Sequence, residues 1–208
     1  MANGHRIGAR NVPGVDGYSG VWTLREIADA ARKGAWLADP FDSNSGAYYT
    51  QHGDVIGTWV ISASELVATS GTNSLFIRND QLLADGAIEA DINHCQDGGL
   101  ILRFVDNSNY YLLLLSDDSG AAPSANIRIY KRVAGTFTQL GSTADITWTR
   151  GPNKTIRFSA IGTTLKAFAD GVEVISVTDS AFAGPGGFGM RNHTNFAQTR
   201  FQAFRWGA

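Results

Sequence analysis

The chain has 208 residues, of which 43% are apolar and only 17% charged, enough apolar side chain for a sizeable core without disulfide staples. A net charge of −2 and a pI near 6.0 give no global basic field, which argues against nucleic acid as a partner. The single cysteine, Cys95, excludes an internal disulfide and a cysteine metal cluster, and no apolar run is long enough to span a bilayer as a helix.

Residues 1–20 carry glycines at 4, 8, 14, 17 and 20 and a proline at 13. Ordering glycine is costly, so this stretch predicts an extended arm, with disorder the alternative on the same composition. It lacks the apolar centre of a signal peptide, so synthesis in a cytoplasm is expected. Residues 1–37 hold five Lys/Arg and three Asp/Glu, net +2, against twelve and sixteen, net −4, for the rest. That small asymmetry suits an arm lying on an acidic partner.

The stretch SGVWTLREIADAARKGAWL predicts a helix. Thr23 and Glu26 form a capping box, Leu24, Ile27, Ala28 and Ala31 share one face, Asp29 and Lys33 pair across one turn, and Gly34 stops it. A helix this short is unstable alone. Its apolar stripe, flanked by Trp22 and Trp36, must pack on the body of the domain or on a neighbouring subunit. Arg6, Arg10, Trp22, Leu24, Ile27, Ala31 and Trp36 are therefore the expected attachment residues. The expected division is an arm and helix over 1–37 and a sandwich over 38–208.

From Thr58 onward the apolar pattern has period two, as strands require. Asp170-Gly171 predicts a type I′ hairpin, and Gly135-Thr136 marks another. Strands with frequent turns and no intervening helices predict an antiparallel sandwich. The run Tyr110–Leu115 is apolar at every position, which predicts a central strand covered on both sides or one whose outer face meets a partner. Cys95 reads as a small core hydrophobe.

The order GTWVISASELVAT, SLFIRND, GAIEADI, GGLILRFVDNSNYYLLLL, IRIYKRVAGTFTQLG, KAFADGVEVI, GGFGMRN, TRFQAFRW resembles the concanavalin A-like jelly rolls of the laminin-G and glucanase type. The resemblance spans residues 40–208 and implies an all-β, antiparallel jelly-roll β-sandwich. RIGARNVPG followed by SGVWTLREIADAARKGAW resembles the N-terminal segment of tailed-bacteriophage virion proteins. That second resemblance implies a virion structural protein, not an enzyme, and no cofactor. With no fibre repeat after the sandwich, the expectation narrows to a capsid decoration or cement protein on the outer capsid surface. Its expected partners are the major capsid protein or another virion protein and further copies of itself, as a trimer, with a host-surface glycan as a further ligand. A tail-associated virion protein and a non-catalytic carbohydrate-binding module are the alternatives.

Glucanases of this fold carry carboxylates in an E-x-D-x-x-E pattern on one strand. Here Glu89 and Asp91 match, but His94 stands at the third position, so the paired carboxyls of glycoside hydrolysis are not expected. Glu89, Asp91 and Asn93 alternate with Ile88, Ala90 and Ile92, the ordinary pattern of a strand with one solvated face. For sugar binding the candidates are Asp106, Asn107, Asn109 and Tyr110 in VDNSNYY, and Arg191, Asn192 and His193 in RNHTNF; turns demand the same residue types. His5, His52, His94 and His193 show no metal-ligand spacing. GPGGFGM precedes no helix and predicts a corner into a strand, not a phosphate cradle. The basic hairpin Arg128, Tyr130, Lys131 and Arg132 has no base-stacking motif beside it.

Overall fold

The computed structural model describes residues 36–93, 95–116, 124–148, 151, 153–193 and 199–207. The predicted arm and helix, with Arg6, Arg10, Trp22, Leu24, Ile27 and Ala31, lie outside the described residues, as does His94. Among the described residues no helix is long and apolar enough to cross a membrane.

The chain enters through β1 (Leu37–Asp39), makes a 3-10 turn (Ser45–Tyr48), and continues as β2 (Tyr49–Val55), β3 (Trp59–Ser62), β4 (Glu65–Ala68), β5 (Thr72–Leu83) and β6 (Gly86–Asn93). Next come β7 (Asp97–Asp106), β8 (Asn109–Ser116), β9 (Ser124–Val133) and β10 (Thr136–Thr147). The last five strands are β11 (Lys154–Ile161), β12 (Thr164–Ala169), β13 (Val172–Thr178), β14 (Gly186–Asn192) and β15 (Thr199–Gly207). One sheet has the order β13-β12-β11-β6-β15-β4-β3, with β1 also paired to β15; the other has the order β10-β9-β8-β7-β14-β5-β2. All the pairings are antiparallel.

Period-two alternation sends every second side chain between the sheets. Ile88, Ala90 and Ile92 of β6 meet Leu100, Leu102, Tyr111, Leu113, Phe188 and Met190 of the facing sheet in one core. Burying a single large side chain of this kind stabilises the fold by about 1.5–3 kcal/mol. Asp170 (φ 47°) and Gly171 (φ 80°) turn β12 into β13 with both residues left-handed, the geometry of the expected type I′ turn. The β9–β10 turn falls one position earlier than expected: Ala134 (φ 47°) and Gly135 (φ 82°) occupy it, because Thr136 pairs with Val133 and already belongs to β10.

The entry to the sandwich also lies earlier than the pattern suggests. Leu37 pairs with Trp206, so β1 begins at the residue assigned to the arm, and half-buried Trp36 leads straight into it. Asp39, 3% exposed, accepts hydrogen bonds from Tyr49 Oη (2.9 Å), Ser45 Oγ (2.6 Å) and the Phe41 N–H (2.8 Å). It also pairs with Arg78 at 3.1 Å, and the Arg78 guanidinium lies 4.4 Å from the Trp206 ring centroid. A buried charge needs such a partner, and this one ties β1 to both sheets.

Candidate functional site

The strand β8 is apolar at every position because both its faces are covered. Tyr111, Leu113 and Leu115 face the inter-sheet core. Tyr110, Leu112 and Leu114 join Leu75, Ile77, Ile101 and Phe104 in a second apolar layer on the outer face of the seven-stranded sheet. Ile77 and Ile101 there are fully buried, so something roofs them.

The roof is built by a bend. At Arg103 the backbone of β7 turns left-handed (φ 50°), and the register with β8 shifts between Leu102 and Asp106. Arg103 is held there by hydrogen bonds to the carbonyls of Ala84 (2.8 Å), Phe182 (2.7 Å) and Gly162 (2.8 Å). Beyond the bend, the tips of the β7–β8 and β9–β10 hairpins lean over the sheet towards β2 and β5. Their aromatic rings form a chain: His52 to Phe104 (4.8 Å between centroids), Phe104 to Tyr110 (6.0 Å), Tyr110 to Phe137 (6.1 Å) and Phe137 to Tyr130 (6.2 Å).

Polar contacts fasten the tips. Arg132 makes a bidentate pair with Asp54, Nη1 to Oδ1 and Nη2 to Oδ2 both at 3.0 Å, and donates to the Asn107 carbonyl at 2.8 Å. Such fork-on-carboxylate pairs are among the stronger side-chain contacts. The Tyr110 hydroxyl (2.9 Å) and Arg191 Nε (2.7 Å) both donate to Asn73 Oδ1. Arg191 Nη1 pairs with Asp97 at 3.3 Å. Burial pushes the Tyr110 phenol above its ordinary pKa, so it remains a donor.

Between β2 and the β7–β8 tip lies an open cleft of about 360 Å³, lined by His52, Phe104, Val105, Asp106, Asn107 and Ser108. Asn107 is exposed and accepts from the Gly53 N–H at 3.3 Å. Asp106 accepts from the Ser108 N–H (2.7 Å) and from Asn109 Nδ2 (2.9 Å), a turn in which the carboxylate organises its own backbone. Burial holds His52 below its ordinary pKa, with the nearby Asn107 side chain opposing, and its Nε2 is buried without a hydrogen-bond partner.

The two candidate segments, far apart in sequence, therefore converge: Tyr110 from one and Arg191 from the other share the oxygen of Asn73, and His193 accepts the Asn73 backbone N–H at 3.0 Å. Their roles are not the expected ones. Tyr110 and Asn192 have no exposed surface and Arg191 is 5% exposed, so these three hold the site together and cannot touch a glycan in this conformation. Asn192 is used inside, donating to the Ser70 carbonyl and accepting from Thr199 Oγ1. Asp106 and Asn107 remain as cleft-lining candidates, with Asn109 behind them supporting the tip by accepting the Ala134 N–H at 3.1 Å. Asp54 and Asn73 escaped the sequence pattern; His52 entered it only among the histidines without metal-ligand spacing, and Arg132 only as part of a basic hairpin.

The glucanase-like carboxylates lie elsewhere, on the outer face of the eight-stranded sheet. Glu89 pairs with Arg205 at 2.6 Å, Asp91 accepts from Thr155 Oγ1 at 2.6 Å, and Asn93 donates to Asn153 Oδ1 at 2.9 Å. The alternation read in the sequence holds, with Ile88, Ala90 and Ile92 fully buried. Cys95 is fully buried, and burial pushes its thiol up to about 12. Among the described residues no group of three or more His, Cys, Asp or Glu could hold a metal ion.

Two packed antiparallel sheets with this crossing strand order define an antiparallel jelly-roll β-sandwich of the concanavalin A-like kind. No family model matches the chain, and no curated protein matches it in sequence. Among solved structures it is similar to the carbohydrate-binding module CBM66 from Bacillus subtilis, at 20% identity and a TM-score of 0.64, over 75% of this chain and 98% of that one. It is similar to the β-glucanase of Bacillus licheniformis at 11% identity and a TM-score of 0.59, over 83% and 98% of the two chains. The κ-carrageenase of Pseudoalteromonas carrageenovora, in complex with an oligotetrasaccharide of κ-carrageenan, matches at 12% identity and a TM-score of 0.58, over 83% and 94%. At these identities the likeness establishes the fold.

Proposed function

We propose that this protein is a non-catalytic carbohydrate-binding jelly roll that holds a glycan in the cleft between β2 and the β7–β8 tip. The observation that carries the reading is the cleft itself. Exposed Asn107 and Asp106 offer planar polar groups beside the exposed apolar side chain of Val105, with Phe104 buried beneath them at 6% exposure, a few polar groups beside an apolar one as small-ligand sites use. The fold likeness to a carbohydrate-binding module and to two enzymes named for saccharides supports the ligand class. Hydrolysis is not favoured: it needs a pair of carboxyls about 5–10 Å apart across the scissile bond, and Asp106 is the one carboxylate among the residues lining the cleft.

The resemblance of the N-terminal segment to virion attachment segments supports a separate proposal about where the module is carried. In it, the N-terminal arm and helix fasten the protein to a capsid or tail, and the sandwich faces outward. Contacts to the major capsid protein, trimer formation and a decoration role belong to that proposal, and none of the structural likenesses above points to a virion.

The test is a polysaccharide array probed with the full chain, followed by titration of the best ligand. Asn107→Ala should weaken binding by roughly tenfold, the effect of losing about 1.4 kcal/mol of contact, while loss of its exposed bond to Gly53 should lower stability by no more than about 1 kcal/mol. An array without signal, or full binding by Asn107→Ala and Asp106→Ala alike, overturns the reading.

A further inference from the structure

Asn73 is where four strands are tied together. It is 1% exposed and left-handed, with φ 47°, a conformation asparagine tolerates better than most side chains. Its Oδ1 accepts from Tyr110 on β8 and from Arg191 on β14, and its Nδ2 donates to Asp54 on β2 at 3.3 Å. Its backbone N–H donates to Nδ1 of His193, at the end of β14, at 3.0 Å. A ring nitrogen that accepts a hydrogen bond carries no proton, so this contact requires neutral His193 at that nitrogen. A proton on Nδ1 would set donor against donor and place positive charge beside Arg191.

We propose that this arrangement is a proton-operated latch: protonation of His193 releases Asn73, and the tips of the β7–β8 and β9–β10 hairpins loosen from β2 and β5. The latch regulates the cleft of the glycan-binding reading, whose wall is the same tip, but it rests on contacts made without any ligand.

Among the described residues the charged groups facing His193 are Arg191 on β14, Asp97 on β7 and Asp54 on β2, with neutral Asn73 on β5. Burial comes first and Arg191 second in holding its pKa below the ordinary 6.5, while Asp97 and Asp54 oppose. His52 on β2 lies against Phe104 of the same tip, and burial lowers its pKa too. Both histidines favour the proton more strongly once the tip opens. The closed form is therefore fully favoured above about pH 6.5 and loses ground as pH falls below it, by up to about tenfold in the opening equilibrium per pH unit and per histidine.

Amide exchange on the full chain without glycan, between about pH 7.5 and 5, where histidine titrates, tests the latch. After correction for the intrinsic pH dependence of exchange, protection at Asn73 and over residues 104–110 should fall across this range. Ile88 and Ile92 in β6 should keep theirs. His193→Gln should remove one proton from the slope, and His52→Gln the other. Flat protection at the tip, a slope unchanged in His193→Gln, or simultaneous loss at Ile88 and Ile92 each overturns the proposal. The glycan reading is judged separately on the array near pH 7.5, so a blank array leaves the latch intact and a flat exchange profile leaves the glycan site intact.

Discussion

Replacing Arg103 with Met removes the clamp at the bend of β7 while keeping an unbranched side chain in the same space. The guanidinium is 1% exposed and bonds the carbonyls of Ala84, Phe182 and Gly162, with Asp85 Oδ1 at 3.1 Å. A hydrogen bond to a charged group contributes about 1.5–3 kcal/mol net, so three carbonyl bonds set an upper range of about 4.5–9 kcal/mol. Relief of the buried charge's desolvation and the apolar burial of Met offset part of this. A net loss of about 3–5 kcal/mol follows, comparable to breaking a buried ion pair. For a domain of this size each kcal/mol moves Tm by about 2–4 °C, so calorimetry should show a fall of roughly 6–20 °C. Arg103→Lys, able to reach one or two of these carbonyls, should recover part of it. A fall of less than about 2 °C in the Met variant would show that the bend holds itself and that the guanidinium is no clamp.

The pair between Glu89 and Arg205 is partly solvated, the arginine side chain being 42% exposed. Glu89→Gln should therefore change stability by no more than about 1 kcal/mol and leave glycan binding untouched; loss of binding would move the site to the eight-stranded sheet. Cys95, fully buried with its thiol pushed up to about 12, should resist thiol reagents in the native chain and react once denaturant unfolds it. Rapid labelling of the native protein would show that the structure opens locally around Cys95, ahead of β7.

Most strands were legible because their alternation is regular. The exceptions have physical reasons. In β2, Tyr49 alone is buried and the rest of the strand is half-buried or exposed, so an edge strand carries little apolar signal. In the β9–β10 turn an alanine takes the left-handed position that glycine or asparagine usually fills, so the turn starts one residue before the obvious glycine. The second apolar layer could be read from Tyr110–Leu115, but what covers it could not. The roof depends on a left-handed arginine at the bend of β7, and nothing local in GGLILRFVD announces that. The same bend explains the candidate site: turn-rich VDNSNYY and RNH were visible as polar segments, yet only the folded-over tip brings them to Asn73 and Asp54. It also turns Tyr110 and Arg191 from ligand contacts into supports.

The pairing of Leu37 with Trp206 has a mechanical consequence. Antiparallel hydrogen bonds run across the strands, so a pull on the segment before Leu37, directed along β1, loads the rungs of β1 on β15 together, in shear. A pull that separates that segment from Gly207 instead starts at one end of the ladder and opens it rung by rung, at lower force. Because β1 is only three residues long, the charge contact of Asp39 with Arg78 is the next barrier either load meets. Whatever is joined to the front of this sandwich is therefore held more firmly against traction from afar than against being peeled away from the chain's other end.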